Sequence, residues 1–189
     1  MSGAGRGEES LVVAREQPGE TIDMNVRLVE ATVADAAEIA ELHTAVADVL
    51  TQEFGAGHWS SHVSEKGVLF ALRNSRVFVA KSGVRVVGSL RLATTKPWAI
   101  DKSYFTRCER PLYLTAMAVE PSRQRTGFGR AMLDDAKRIA RAWPGDAIRL
   151  DAYDAAAGAG EFYAKCGFRE VGRVVYRTTP LIYYELILT

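Results

Sequence analysis

The sequence predicts an α/β domain whose sheet contains both parallel and antiparallel strand pairs. A strand-like run, an amphipathic helix and a second strand-like run follow one another between residues 112 and 153, the pattern of a parallel crossover unit. Residues 76–92 hold two further runs around Ser82-Gly83, which is typical of an antiparallel hairpin. With 189 residues, 48% of them hydrophobic, the chain is long enough to bury one sizeable core.

The composition argues against several classes of protein. The formal net charge is +1 and the charges are interspersed, so the overall field favours neither nucleic acid nor an anionic membrane as a partner. Two cysteines, Cys108 and Cys166, are too few for a disulfide framework and fit a reducing compartment. No apolar stretch reaches the roughly 18 residues of a spanning helix. We therefore expect a cytoplasmic protein.

The first elements follow from local patterns. Residues 1–24 are rich in Gly, Glu and Arg without periodicity and predict a mobile leader, which leaves residues 25–189 as one domain. A strand is expected at 26–31, and Thr32 and Asp35 then have the spacing of a capping box that begins a helix. The predicted apolar face of this helix consists of Ile39, Leu42, His43, Val46, Val49 and Leu50.

The remaining predicted helices, strands and connections follow from the same kinds of pattern. A weaker helix is predicted at 62–73, and residues 94–111 form a long connection of the kind that is usually functional in a compact domain. The last strand, 180–188, could pair across a dimer, although an ordinary closing strand is the simpler interpretation. The helix of the crossover unit ends at Pro144-Gly145, and its apolar face contains Phe128, Met132, Ala136, Ile139 and Trp143.

The turn that precedes this helix predicts an anion site. Its sequence is Pro121-Ser122-Arg123-Gln124-Arg125-Thr126-Gly127-Phe128-Gly129-Arg130. A helix N-terminus presents unpaired N–H groups and a partial positive charge, and glycines let a ligand approach the backbone. Arg123, Arg125 and Arg130 would add positive charge. Taken alone, the turn is equally compatible with an ordinary glycine loop whose arginines are solvated.

Other known motifs do not account for this turn. The third glycine of a dinucleotide fingerprint is replaced by Met132, and the sequence lacks GxxxxGK[ST], GxSxG and HExxH. His58 and His62 are four residues apart and could share a helical face as metal ligands. Because no third ligand is nearby in the sequence, we expect no metal site.

Two segments together resemble a known family. Residues 124–129, Gln-Arg-Thr-Gly-Phe-Gly, resemble the [QR]xxGx[GA] pyrophosphate signature of the GCN5-related N-acetyltransferases, the GNAT family. Residues 161–168 resemble the second signature of that family, a helix in which Tyr163 stands four residues before Gly167-Phe168. The order of elements from Val26 to Leu188 also agrees with the family. The resemblance therefore covers nearly all of the chain beyond the leader.

The resemblance implies an acetyltransferase domain over 25–189 that uses acetyl-CoA as co-substrate. Its sheet would be mixed and mostly antiparallel, with about seven strands, flanking helices and a splayed parallel pair that admits the acetyl-CoA. Tyr163 would be the general acid that serves the departing thiolate. The implied acetyl-CoA contacts, first for the thioester arm and then for the pyrophosphate, are Met117, Ala118 and Val119, followed by Gln124, Arg125, Thr126, Gly127, Phe128, Gly129 and Arg130.

The general base is not identified by the resemblance. A primary amine with a pKa near 10.4 is only about one part in 2,500 neutral at pH 7, so a group must accept its proton. Where many family members have a glutamate on the fourth strand this chain has Tyr113, and where many have an asparagine before the tyrosine it has Ala156. The remaining candidates, each acting through water, are Asp151, Asp154 and Glu120.

The acceptor is also left open. We expect it to be the primary amine of a small molecule, bound by the segment after the first helix, the loop 94–111 and the turn 177–180. Aromatic residues that could line this site are Trp59, Trp98, Tyr104 and Tyr176. Two other functions remain possible: an acyl-CoA sensor of the same fold without turnover, suggested by the missing Glu and Asn, and a nucleotide-binding enzyme.

Overall fold

The computed structural model describes residues 26–188, and the predicted mobile leader, 1–24, lies outside these residues. One sheet has the strand order β1-β2-β3-β4-β5-β7-β6. The strands are β1 (Val29–Glu30), β2 (Arg76–Ser82), β3 (Arg85–Ala93), β4 (Pro111–Val119), β5 (Ala147–Tyr153), β6 (Arg169–Tyr176) and β7 (Thr179–Ile187). The helices are α1 (Ala36–Phe54), α2 (Glu65–Asn74), α3 (Phe128–Ala142) and α4 (Gly160–Lys165).

The start of α1 confirms the predicted capping box. The Thr32 backbone N–H donates to the Asp35 carboxylate at 2.8 Å, and a short 3-10 turn leads from there into the helix. Ile39 and Leu42 are buried as expected, whereas Val49 faces solvent and Ala47 takes its place in the core. The predicted strand at 26–31 is shorter than expected, since only Val29 and Glu30 pair with β2.

The sheet is mixed, as predicted, because β4 and β5 are parallel while every other neighbouring pair is antiparallel. The parallel pairing begins at Pro111 opposite Ala147 and ends at Tyr113 opposite Arg149. Beyond that point β4 continues along β3 to Val119, while β5 continues along β7 to Tyr153. The predicted splayed pair is therefore confirmed, and we call the space between the two diverging strands the gap.

The two faces of the sheet carry different helices. Helices α3 and α4 pack on one face, where Met132, Leu133 and Tyr163 join alternate residues of β4 and β5 in one core cluster. Helices α1 and α2 pack on the opposite face, mainly over β2 and β3. A third cluster lies under the loop 94–110 and contains Ile100, Phe105, Tyr113 and Tyr183. The gap thus lies between two faces of the sheet that have different surroundings.

The last strand is internal to the sheet. β7 pairs with β5 on one side and with β6 on the other, so both of its edges are occupied within the chain. The interpretation as an ordinary closing strand is confirmed. The alternative, that this strand pairs across a dimer, is wrong because neither of its edges is free. Within residues 26–188, no helix combines the length and the apolar character needed to cross a bilayer.

Candidate active site

The glycine turn leads directly into α3. Gly127 adopts φ +92° at the N-cap, and Arg125, two residues earlier, adopts φ +62°. These left-handed conformations are the ones that glycine adopts most readily, and they redirect the chain sharply before the helix begins. A Cβ at Gly129 would lie 3.3 Å from the ring of Phe162, so this position is also closely packed. The turn therefore presents the first N–H groups of α3 at the gap side of the sheet.

The three arginines of this turn have different environments. Arg123 does not belong to the predicted anion site, because its side chain is only 11% exposed and pairs with Glu120 at 3.2 Å. The Arg123 guanidinium also donates to the Ser82 hydroxyl at 3.1 Å. Arg125 and Arg130 remain exposed beside the helix N-terminus. The Gln124 side chain donates to the Val119 carbonyl at 3.0 Å, which joins the turn to the end of β4.

A bulge interrupts β4 where it borders the gap. Ala116 and Met117 together stand opposite Leu90 of β3, and Ala116 has φ +49°. Such a bulge bends a strand and re-aims its neighbouring side chains. The sequence carried no signal for it, because alanine rarely adopts positive φ. Of the residues expected to contact the thioester arm, Met117 is the second residue of the bulge, and Ala118 and Val119 end the strand.

Tyr163 on α4 lies at the same gap, next to β4. Its hydroxyl is 4.0 Å from the Met117 sulfur, and its ring packs against Phe162, Phe168 and Tyr184. Burial raises the pKa of the Tyr163 phenol well above its ordinary value, and the carboxylate of Asp151 adds to the shift. The hydroxyl therefore stays protonated at neutral pH and remains a hydrogen-bond donor. The same shift makes it a weaker acid than the unperturbed phenol assumed from sequence.

Asp151 on β5 faces the other side of the sheet. It lines an open cleft of about 630 Å³, and burial raises the pKa of its carboxyl above the ordinary value. The other lining residues of this cleft are Pro97, Trp98, Ala99, Thr115, Tyr176 and Arg177. Trp98 and Tyr176 thus lie where the sequence placed an acceptor, together with the loop 94–110 and the turn between β6 and β7.

Among the three carboxylates considered from sequence, the structure distinguishes Asp151. Asp154 is paired with Arg173 at 3.0 Å, and Glu120 with Arg85 at 2.7 Å. Asp151 forms no ion pair with any group of residues 26–188. An unpaired, half-buried carboxylate with a raised pKa is the type of group that accepts protons near neutral pH.

The other aromatic and histidine candidates have structural contacts. The ring of Trp59 lies 6.1 Å from that of Tyr153, and Tyr104 lies 5.5 Å from Tyr183. His58 stacks on Tyr153 with the ring centres 6.2 Å apart, whereas His62 pairs with Asp48 at 2.6 Å. The two histidines therefore serve different neighbours. The contacts of His58 and Trp59 with Tyr153 fasten the segment after α1 over the end of β5.

The loop 94–110, which contributes Pro97, Trp98 and Ala99 to the cleft, is anchored to the sheet at two points. A buried pair, Arg149 and Glu185, lies at the base of the loop with 3.1 Å between the Arg149 Nε and the Glu185 carboxylate. Arg149 donates to the Thr106 carbonyl, and the Thr106 N–H donates to Glu185 at 3.2 Å. Nearer its start, the loop is bound by the Tyr183 hydroxyl, which donates to the Ala99 carbonyl. Since both ions are satisfied by backbone groups, the pair fixes the loop.

Comparison with known proteins identifies the family of this chain. A sequence model of the acetyltransferase (GNAT) domain matches residues 73–170, slightly more than half of the chain. The chain belongs to the GNAT family. No curated protein sequence matches it. The matched segment runs from the end of α2 to the start of β6, and so includes the bulged strand, the glycine turn and Tyr163.

Solved GNAT structures share the fold at low sequence identity. A GCN5-related N-acetyltransferase of Rhodopseudomonas palustris is 19% identical, with TM-score 0.65 over 90% of this chain and 100% of that chain. The ribosomal-protein-S18-alanine N-acetyltransferase of Escherichia coli is 15% identical, with TM-score 0.63 over 87% of this chain and 94% of that chain. An acetyltransferase structure from Salmonella typhimurium, solved with acetyl-CoA, is 17% identical, with TM-score 0.62 over 87% and 95%.

The two departures from the common GNAT pattern have clear positions. Tyr113 is 1% exposed and packs under the loop with Tyr183 and Phe105, and it does not line the cleft that contains Asp151. Ala156 is exposed in the connection between β5 and α4. The position of the common glutamate is therefore occupied by a core residue, whereas Asp151 of the neighbouring strand β5 lines the cleft.

His43 on α1 predicts a pH dependence of folding stability. Burial, together with the charge of Arg91, lowers the pKa of His43 to about 4, and its Nε2 lies 3.0 Å from the Ser89 hydroxyl. The unfolded chain binds a proton at this site below about pH 6.5, whereas the folded chain does not until about pH 4. Stability should therefore fall as the pH drops through this window, by about 3 kcal/mol in total from this group.

The measurement is urea unfolding between pH 4 and pH 8 for the wild type and for His43→Gln. Glutamine keeps a polar atom for Ser89 but does not titrate, so the difference in unfolding free energy between the two proteins isolates the histidine. We expect that difference to change steadily below pH 6.5 and to be constant above it. A difference that is independent of pH would show that His43 has an ordinary pKa.

Proposed function

We propose that this protein transfers the acetyl group of acetyl-CoA to the primary amine of a small acceptor by direct attack. The observation that carries the proposal is the placement of Tyr163 and Asp151 on opposite faces of the sheet at one gap. A hydrogen-bond donor for the leaving sulfur lies on the side of α3 and α4. A proton acceptor for the amine lies in the cleft on the other side.

The residues of the gap and of the glycine turn suit acetyl-CoA. Beyond Tyr113, the edge of β4 no longer pairs with β5, so an extended arm can lie against Met117, Ala118 and Val119. The N–H groups from Arg125 through Arg130 suit a pyrophosphate at the helix N-terminus, with the Arg125 and Arg130 side chains adding positive charge. Gln124 contributes by fixing the turn to β4. Thr126, Gly127, Phe128 and Gly129 complete the turn.

The reaction requires one group that accepts the proton of the amine and one that donates a hydrogen bond to the leaving sulfur. Bound acetyl-CoA supplies the activated thioester, so that a C–N bond forms as the C–S bond breaks. Asp151, through water, takes the proton that the attacking amine loses. Tyr163 donates a hydrogen bond to the sulfur as negative charge develops there. Because the pKa of Tyr163 is raised, we assign it stabilisation of the thiolate by that bond, with the final proton coming from solvent or from protonated Asp151.

A second candidate function is an acyl-CoA sensor of the same fold that does not turn over. The observation that favours it is the replacement of two common GNAT positions by Tyr113 and Ala156. The two candidates predict the same binding of coenzyme A but different chemistry. An enzyme releases free thiol from acetyl-CoA when an amine is present, whereas a sensor releases none with any amine.

Thermal unfolding with acetyl-CoA, free CoA, ATP and NAD tests the binding site. A ligand at 100 times its dissociation constant adds about 2.7 kcal/mol, or roughly 5–11 °C for a domain of this size. We expect this shift with the two CoA species alone. Arg130→Glu is the matched variant, because Arg130 is exposed in the first turn of α3, where an acidic residue suits the helix but repels phosphates; it should unfold normally and lose most of the shift.

Release of free thiol from acetyl-CoA with a panel of amines then separates enzyme from sensor. Stabilisation by ATP or NAD, but not by CoA, would refute the assignment of the glycine turn. Stabilisation by CoA without thiol release from any amine would instead support the sensor.

A further inference from the structure

Arg91 on β3 is a half-buried cation beside the bulge of β4. Its Nε donates to the Thr115 hydroxyl at 2.7 Å, and burial lowers the pKa of its guanidinium. Arg91 forms no ion pair with any carboxylate of residues 26–188. A charge that is partly removed from water without a counter-ion is costly, so such a group is suited to an anion that arrives with a ligand.

An apolar pocket of about 250 Å³ adjoins this guanidinium. Arg91 and Ala116 line it together with His43 and Ser89, which bond to each other, and His43 is neutral at pH 7 because its pKa is lowered. The pocket is smaller than the roughly 300–1,000 Å³ typical of drug-sized ligands. Its remaining lining is apolar: Ile39, Val63, Gly67, Val68, Ala71, Val77 and Leu90. This pocket suits one aliphatic side chain.

The pocket and the cleft that contains Asp151 meet at β4. Thr115 lines the cleft and binds Arg91, while the next residue, Ala116, lines the pocket. An apolar space, a cation and a carboxylate therefore follow one another across the bulge. An α-amino acid carries groups of the three matching kinds: an apolar side chain, a carboxylate and an amine.

We propose that the acceptor is a free aliphatic α-amino acid, whose carboxylate binds Arg91 while its side chain fills the pocket and its amine faces Asp151. This inference rests on the proposed acetyl transfer and names the substrate class of the same site. A polyamine or an aminoglycoside carries only positive charge and is repelled by Arg91. A protein N-terminus has an amide in place of the carboxylate, so it leaves Arg91 without a counter-ion.

The first test compares three acceptors with the same side chain in the wild-type enzyme. They are leucine, leucinamide and 3-methylbutylamine, which carry a carboxylate, a neutral amide and no substituent at that position. We expect kcat/KM for leucine to exceed both others by about 10- to 100-fold, the range of a charge-assisted hydrogen-bonded pair. Equal or higher values for the amide or the amine overturn the proposal.

Variants of Arg91 assign the preference to one side chain. Arg91→Gln should reduce the ratio of kcat/KM for leucine over 3-methylbutylamine by about 10- to 100-fold, mainly through KM for leucine. Arg91→Lys keeps the charge but not the fork of donors, and should retain part of the ratio. The control is Arg27→Gln, since Arg27 is an exposed arginine near Asp135 on the other face of the sheet. This variant should leave the ratio unchanged. An unchanged ratio in Arg91→Gln contradicts the assignment.

A binding measurement separates this inference from the proposed function. Calorimetry of leucine and of 3-methylbutylamine with protein saturated by free CoA requires no turnover. Tighter binding of leucine without thiol release would support the amino-acid site and refute the enzyme. Thiol release with the amines but no preference for leucine would support the enzyme and refute the amino-acid site.

Discussion

Tyr163→Phe is expected to lower kcat by about 10²- to 10³-fold while acetyl-CoA binding stays close to that of the wild type. The change removes only the hydroxyl that faces the Met117 sulfur across 4.0 Å, and it leaves the ring contacts with Phe162 and Phe168 in place. Because a contact between hydroxyl and sulfur at this distance is weak, folding stability should change little. Steady-state kinetics with a thiol reagent, together with the CoA-dependent thermal shift, measures both quantities.

Tyr184→Phe is the matched control for this experiment. Tyr184 is 4% exposed, and its ring centre lies 6.1 Å from that of Tyr163, so it belongs to the same cluster. Its substitution should leave kcat within about a factor of three of the wild-type value, as expected for a residue outside the reacting groups. Equal losses in both variants would mean that Tyr163 acts through packing alone.

Asp151→Asn is expected to lower kcat/KM by about 10²- to 10³-fold near neutral pH and to remove the acidic limb of the pH profile. The sign follows from the raised pKa of Asp151, since a carboxyl protonated below that pKa cannot accept the proton of the amine. In the wild type, activity should therefore fall as the pH decreases, at a pH above the ordinary carboxyl value of 3.8. The pH dependence of kcat/KM for both proteins is the measurement.

Asp154→Asn controls for the loss of a nearby negative charge. Asp154 follows Asp151 by three residues but is paired with Arg173 at 3.0 Å, outside the lining of the cleft. Its substitution should reduce kcat/KM by no more than a few-fold and should keep the acidic limb. If Asp151→Asn retained that limb, the proton would be accepted by another group or by water.

The sequence predicted those parts of the site that depend on local chemistry. The pair Gly127 and Gly129 marks a turn at a helix start whatever lies elsewhere in the chain, and Tyr163 stands at a fixed distance from Gly167-Phe168. The hairpin around Gly83 and the face of α3 follow from period and turn residues in the same way. These features were found because neighbouring residues alone determine them.

The parts that depend on long-range pairing could not be predicted. Ala116 has a positive φ at the bulge where β4 pairs with β3 after diverging from β5, and nothing in the neighbouring residues indicates this bulge. The sequence alone suggests that Arg123 is an anion ligand. Its contacts with Glu120 and Ser82, which argue against that role, are known only from the structure. Choosing Asp151 over Asp154 likewise required knowing which of the two has an ion-pair partner.

The anchored loop 94–110 has a consequence for how the specificity of such a protein can change. Thr106 and Ala99 are held from beneath by the sheet, whereas Trp98, which is 89% exposed, projects at the rim of the cleft. Substitutions at that rim alter the surface of the cleft but leave Asp151, Tyr163 and the anchors of the loop where they are. Under the proposed function, acceptor preference can therefore drift over evolutionary time while the groups assigned to acetyl transfer are inherited intact.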